Sequence, residues 1–164
     1  ITKLPGENGR FLVLGEDEKI EMTYSEIFQN NEIPNKISWN ASDIQAKIPN
    51  IFSETQGKFI PQSLNLDLID AINFKKGCYT GQEIVARTHY LGKIKKKIFL
   101  LTNLSLSVNI GDKLHDKNGE IVGDIFSAVQ NIENTFICLG IIKLDTIDSE
   151  IFVNNQQIEI FSYN

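Results

Sequence analysis

Only two cysteines occur in the 164 residues, Cys78 and Cys138. That excludes a scaffold built on disulfides, and their spacing excludes a zinc cage, so a reducing cytoplasm is the expected compartment. No apolar run approaches the roughly 18 residues of a membrane-spanning helix. No basic-then-apolar leader opens the chain, and no internal repeat or low-complexity tract interrupts it. Positive charge is also scarce, with 16 Lys and Arg against 21 Asp and Glu. What is present suits a folded protein: 41% hydrophobic and 23% charged residues in 18.5 kDa, enough for one domain or two small ones. The first residue is Ile1 rather than Met, which suggests part of a longer chain.

The charge is unevenly spread. Lys75, Lys76, Arg87, Lys93, Lys95, Lys96 and Lys97 face a single carboxylate in their window, Glu83. The window therefore carries +6, and since the whole chain carries −5, the remainder carries −11. Such a distribution attracts anions locally and repels nucleic acid over most of the surface. A solvated lysine cluster at a turn would read the same way.

Two halves differ in pattern. Residues 10 to 14, Arg10-Phe11-Leu12-Val13-Leu14, form a short apolar run closed by Gly15, which predicts a buried strand. Ile20, Tyr24, Ile27 and Phe28 then mark one face of a helix that Asp17 could cap, closed by Asn30-Asn31 and Pro34-Asn35. Ile44 and Ile48 predict a short helix ended by Pro49, and Leu64, Leu68, Ile69 and Ile72 recur at helical spacing, with Asp67 and Asp70 on its solvated face. After about Gly92, short apolar segments follow at 98–101, 121–126, 136–142, 151–153 and 158–161. Turn signals separate them at 109–112, 117–119, 131–134 and Asn154-Asn155. This predicts an α+β chain whose residues 95–164 form a small antiparallel β-barrel after a mixed region, 1–94. Cys138 reads as a small buried hydrophobe and His115 as a surface strand residue.

The chemistry concentrates between Lys75 and Leu91. Thr80-Gly81-Gln82-Glu83 fits a capping box, in which Thr80 and Glu83 exchange bonds at the start of a helix beginning at Gly81. Cys78 then lies near the positive end of the helix dipole and beside Lys75 and Lys76, two effects that favour thiolate. A partly buried cysteine at a turn is the plainer alternative. His89 is a further candidate, as a general base for the thiol, although eleven residues separate the two.

Lys76-Gly77-Cys78-Tyr79-Thr80-Gly81-Gln82-Glu83 resembles the signature of the YgfZ family of folate-binding proteins. The likeness continues through Ile84-Val85-Ala86-Arg87 and Tyr90-Leu91-Gly92-Lys93, and upstream through Phe59-Ile60-Pro61-Gln62 and Leu64-Asn65-Leu66-Asp67. At lower specificity it takes in Trp39 to Ile51, and Gly119-Glu120-Ile121-Val122-Gly123 with Ser127, which resembles the barrel shared with the glycine-cleavage T-protein. The resemblance implies the end of a ferredoxin-like folate-binding region, a helical connector with the signature (1–94), and the C-terminal barrel (95–164). Most of the folate-enclosing first half of such proteins has no counterpart here. The apolar surface that this half would cover is then left open, which would favour a homodimer.

The resemblance also implies a function. YgfZ-like proteins support the assembly or repair of iron–sulfur clusters in client enzymes, among them a methylthiolase of transfer RNA. On this reading Cys78 is the functional thiol, as redox group, transient cluster ligand or nucleophile, and Lys76 keeps it anionic. One thiol falls short of the roughly four ligands of a cluster, so a partner or second copy would supply the rest. Tetrahydrofolate is the implied cofactor. Tyr79, Gln82, Glu83 and Arg87 are the candidate cofactor-binding residues: Tyr79 lining the channel, Gln82 and Glu83 fixing the helix start, and Arg87, with Lys93 to Lys97, drawing the anionic glutamate tail. Two other classes remain open. One is a tetrahydrofolate-dependent aminomethyltransferase like the T-protein, against which Cys78 argues. The other is an RNA-binding module using Tyr79 and Tyr90, whose direct binding the acidic remainder would keep weak. Whether the chain is itself an enzyme stays open.

Overall fold

The computed structural model describes residues 1–6, 9–28, 36–105, 107–130 and 135–161, with the backbone alone at 36–38 and 103. The expected breakers at 30–35 and the turn at 131–134 lie outside the described residues. Among the described residues, three α-helices precede a seven-stranded antiparallel sheet that nearly closes into a barrel, which is the α+β arrangement anticipated from the sequence.

The sheet contains β3 (Lys96–Leu104), β4 (Lys113–Asp116), β5 (Ile121–Gln130), β6 (Phe136–Lys143), β7 (Ile151–Val153), β8 (Gln156–Gln157) and β9 (Glu159–Phe161), in the order β8-β7-β4-β5-β6-β3-β9. The edge strands β8 and β9 are separated in the chain by Ile158 alone, so a few residues reach from one side of the sheet to the other. Ile158 is buried and its amide donates to the Ile151 carbonyl at 3.0 Å. β6 explains why the run from Phe136 to Ile142 is apolar throughout: both its faces are covered. Cys138 and Ile142 point into the barrel with Leu101, Leu114, Val122 and Ile125. Ile137, Leu139 and Ile141 point outward, where they meet Phe126, Ile98, Leu64 and the helix α2 (Lys36–Gln45) through Ala41 and Ile44. Phe59 adds an edge-on ring contact with Phe126 at 5.7 Å. The outer core therefore joins residues on both sides of residue 94.

Glycine makes two of the closest approaches possible. A Cβ at Gly123 would lie 2.3 Å from the Ile141 carbonyl oxygen, and one at Gly140 would lie 2.5 Å from Leu101 Cδ1.

The first half departs from its periodicity in three places. The run 10–14 is not a buried strand: β1 (Thr2–Lys3) and β2 (Phe11–Leu12) form a two-residue ladder, and Phe11 and Leu14 remain 56% and 80% exposed. So short a ladder brings no second layer to cover it. Arg10 nevertheless fastens it, pairing with Asp43 at 2.6 Å and lying 4.9 Å over the Trp39 ring. Next, α1 (Asp17–Phe28) forms where expected, with Asp17 as its first residue rather than its cap, and buries none of its side chains. Finally, Leu64, Leu68, Ile69 and Ile72 do not share a helix. A single 3-10 turn, Pro61–Leu64, is followed by turns, because Asn65 adopts a left-handed φ of 56° to send its side-chain amide to the Ile98 carbonyl. Leu64 is buried, whereas Leu68 is 52% exposed.

The helix predicted around Ile44 is α2, and it stops before Pro49 by a defined motif. Lys47 turns left-handed at φ 57°, the Ile48 amide donates to Asp43 O and the Lys47 amide to Ile44 O. This paired closure satisfies carbonyls the helix end would otherwise leave open.

Candidate functional site

The signature lies on a strap that folds back along α3 (Gln82–Leu91). Asn73 starts it: its side-chain oxygen accepts the amides of Lys75 at 2.8 Å and Lys76 at 3.0 Å, an Asx turn that reverses the chain. Phe74 stacks on His89 near the end of α3, with ring centroids 3.9 Å apart and planes 20° from parallel. At the other end of the strap the Tyr79 amide donates to Gln82 Oε1 at 3.2 Å, and the Gln82 amide donates to Tyr79 O at 3.1 Å. Residues 74 to 79 thus run antiparallel to the helix, from its end to its start. Between them, Lys76 Nζ lies 4.6 Å from the centre of the Tyr79 ring.

The expected capping box between Thr80 and Glu83 does not form. Gly81 is the N-cap and takes φ 85°, with no side-chain bond at the cap. The chain enters the helix one residue later than the box requires, so Thr80 stays outside it. Only half of that exchange has a counterpart one residue earlier: Gln82 Oε1 accepts the Tyr79 amide, while the Gln82 amide donates to the backbone carbonyl of Tyr79. Glu83 still occupies the first turn, where its charge suits the dipole.

The candidate residues therefore fall into two groups. Lys76, Tyr79 and Gln82 are joined by contacts, and Cys78 lies among them in sequence with its side chain exposed. Glu83 and Arg87 are exposed one turn apart on α3. His89 is not brought to the thiol: it is held between Phe74 and Tyr90, whose ring meets it edge-on at 4.8 Å. The second cysteine is the chemical opposite of the first. Cys138 is sealed inside the barrel, and burial, helped by the charge of Asp112, pushes its thiol up to about 12.

The lysine run does not act as one cluster. Strand alternation turns Lys96 to the side of Asp124, at 3.9 Å, where Lys113 also pairs with the same carboxylate. Lys96 stands directly across from Lys143, whose ammonium donates to the Ile121 carbonyl at 2.8 Å. Lys93 and Lys95 remain exposed, and with Lys75, Lys76 and Arg87 they have no carboxylate partner among the described residues.

Two residues that sequence reasoning passed over fasten this site to the barrel. Gln62, wholly buried, donates its side-chain amide to the Val85 carbonyl at 2.6 Å, and Val85 is the buried residue of α3. Asn65 makes the matching bond to Ile98 at the start of β3, at 2.9 Å. The signal was available as two amides set among apolar residues in Ile60-Pro61-Gln62-Ser63-Leu64-Asn65. Their acceptor atoms, Gln62 Oε1 and Asn65 Oδ1, are buried without a hydrogen-bond partner, as is Asp67 Oδ1. Among the described residues no cluster of three or more His, Cys, Asp or Glu is placed to hold a metal ion, and no helix is long and apolar enough to cross a membrane.

No family model matches the chain. Among curated proteins it is similar to tRNA-modifying protein YgfZ of Escherichia coli strain SMS-3-5, with 33% identity over 94% of this chain and 50% of that protein. The protein of the same name from strain EC4115 is 34% identical over 87% of this chain and 45% of its own length. The chain spans about half the length of the curated relatives it matches.

Proposed function

As a chain that belongs to the YgfZ family over the half of those proteins it spans, this protein, we propose, serves in transfer-RNA modification as an accessory protein whose working group is the Cys78 thiol. The observation that carries the reading is the contrast between its two sulfurs. Cys78 is exposed on a strap pinned at both ends, whereas Cys138 is locked away with its proton held tightly. An exposed thiol beside unpaired ammonium groups is the environment in which cysteine chemistry is selective. The strap keeps the sulfur's backbone in place through Asn73, the Phe74–His89 stack and the Tyr79–Gln82 exchange. Lys76 supplies positive potential on the strap, with its ammonium held over the Tyr79 ring.

The clients are iron–sulfur enzymes, of which a methylthiolase acting on transfer RNA is the leading candidate. A cluster would be cargo, bound at Cys78 with its remaining ligands supplied by the client. The reading places the protein in the reducing cytoplasm, where such a thiol stays free.

Tetrahydrofolate is the cofactor of this reading, and when bound it supplies a carrier for one-carbon units. The donor set fits it in two ways. The unpartnered acceptors of Gln62, Asn65 and Asp67 match the N–H donors of a pterin ring, and the exposed guanidinium of Arg87 matches carboxylates of the glutamate tail. Tyr79, Gln82 and Glu83 shape the strap and helix start beside them.

The test is a pair of full-length variants, Cys78→Ser and Cys138→Ser, in cells lacking the native protein, with methylthiolated nucleosides of transfer RNA measured by mass spectrometry. Cys78→Ser should lower the modified fraction and Cys138→Ser should not. Full modification with Cys78→Ser overturns the assignment.

A further inference from the structure

The strap and α3 carry a second feature that the thiol does not explain. At the end of α3 three rings meet: His89 lies flat on Phe74, and Tyr90 contacts both, edge-on, at 4.8 and 6.4 Å. These rings are not core. His89 is exposed, Tyr90 is 69% exposed, and the adjoining Leu91 is 84% exposed. On the same two segments lie Lys75 and Lys76 of the strap and Arg87 one turn before Leu91 on α3, with Lys93 just beyond the helix in sequence. None of these four has a carboxylate partner among the described residues. Glu83 at the far end of α3 and Asp70 before the strap are the nearby acids in sequence. Part of the unneutralised positive charge of an otherwise acidic chain thus lies on the same two segments, strap and α3, that carry these rings.

Stacked, exposed rings framed by free ammonium and guanidinium groups match one polymer in both chemistries. Unpaired bases offer π-faces to the rings, and a phosphate backbone offers charge to the cations. α3 is about 15 Å long at 1.5 Å per residue, and the antiparallel strap widens it into a two-track surface. We propose that this face binds a single-stranded segment of RNA, with a base stacked on the exposed Tyr90 ring beside the Phe74–His89 pair, and with Lys75, Lys76, Arg87 and Lys93 on the phosphates. Acidity elsewhere confines the contact to this face and makes it strongly salt-dependent. The inference stands apart from the thiol: Cys78→Ser should leave RNA affinity unchanged, so each reading can fail without the other.

Fluorescence anisotropy with a labelled, unstructured RNA oligonucleotide tests it, using the same oligonucleotide annealed to its complement as the double-stranded comparison and titrating at several salt concentrations. Tyr90→Ala should weaken single-strand binding by about fivefold or more, the value of one lost base stack, while Tyr90→Phe restores it. The pair Lys75→Gln and Lys76→Gln should lower the salt slope by about 1.4, since each phosphate contact on a single strand contributes about 0.7. Lys117→Gln, in the barrel's exposed β4–β5 turn, should change neither quantity. Thermal melts of each variant confirm folding, and Tyr90 is exposed enough to be replaced without loss of core. Three results would overturn the proposal. They are binding that ignores Tyr90→Ala, a response to Lys117→Gln equal to that of the strap lysines, and no binding at the lowest salt. The last would leave this face to a protein partner.

Discussion

Gln62 offers a test in which stability and function should move in opposite directions. Its side chain is wholly buried, with one amide hydrogen on the Val85 carbonyl at 2.6 Å and its oxygen unpartnered. Replacing it with methionine keeps the length and the unbranched shape. The bond to Val85 is then lost, at a cost of about 0.5–1.5 kcal/mol, but so is an unsatisfied buried carbonyl, which costs about 1–3 kcal/mol. Val85 O faces no new orphanhood of the worst kind, because a carbonyl inside a helix can still accept from the ladder. The balance predicts that Gln62→Met is neutral or more stable by about 1 kcal/mol, a rise of roughly 2–4 °C in Tm for a chain of this size. Gln62→Ala should instead lose about 2 kcal/mol or more, because the bond goes and a cavity stays. Gln62→Glu should lose more still, since it puts an acceptor opposite the Val85 carbonyl and a charge in the core. Urea unfolding followed by circular dichroism measures all three, and fluorescence titration with a reduced folate measures the cost to binding. If the free oxygen is a folate acceptor, Gln62→Met should bind folate less tightly while unfolding at a higher urea concentration. A loss above about 2 kcal/mol in Gln62→Met would refute the reasoning, because it would mean that the oxygen was bonded all along.

The other predictions are shorter. Cys138 has its thiol raised to about 12, so on unfolding it releases its proton near the ordinary thiol value of 9; stability should be unaffected below that pH and fall above it, at up to about 1.4 kcal/mol per pH unit. Cys138→Ala should remove this component of alkaline destabilisation, read as the difference in urea midpoints between variant and parent at pH 8 and pH 10 (about one unit either side of the ordinary value). Asp116 accepts the amides of Glu120 and Asn118, each at 2.9 Å, and these bonds, Glu120 first, hold its carboxyl below the ordinary range. Its contribution is therefore present above the ordinary carboxylate range and lost as pH falls through the native value, so thermal melts of Asp116→Asn should be less sensitive to acid than those of the parent. Gly140→Ala forces a Cβ to 2.5 Å from Leu101 Cδ1 and 3.1 Å from Leu114 Cδ1, and should cost about 1–3 kcal/mol in urea unfolding.

The barrel was legible because each of its strong strands solves a local problem that its own residues state. Ile121 to Phe126 and Phe136 to Ile142 are apolar enough to be covered on two faces, and the turns at Asn109 to Asp112 and Lys117 to Gly119 carry residues suited to reversing the chain. β4 was less visible as a strand because Lys113, His115 and Asp116 dilute its single buried residue, Leu114. In the first half the periodicity described which residues could be buried together, not whether anything lies against them. Ile20, Tyr24 and Phe28 form a stripe on α1, and Tyr24 meets Phe28 at 4.6 Å, yet no residue of that helix is buried. The spacing of Leu64 and Leu68 likewise gave no hint that Asn65 would leave the helical region to reach Ile98, a contact 33 residues away.

The site shows the same division at finer scale. Its location followed from the signature, since a cysteine between two glycines before a helix is a local pattern. Its geometry did not, because the alternatives differ by one residue. Thr80 with Glu83 and Tyr79 with Gln82 are equally spaced pairs, and the structure joins the second, with Gly81 left-handed at the N-cap and Thr80 outside the helix. That choice in turn depends on where α3 is held, and α3 is held through Val85 by Gln62, which belongs to the same segment that Asn65 ties to β3. The strap bearing Cys78 is thus referenced to the barrel through two side-chain amides rather than through its own sequence. An exposed strap needs such an external anchor, since a segment with few buried contacts has little of its own to resist opening.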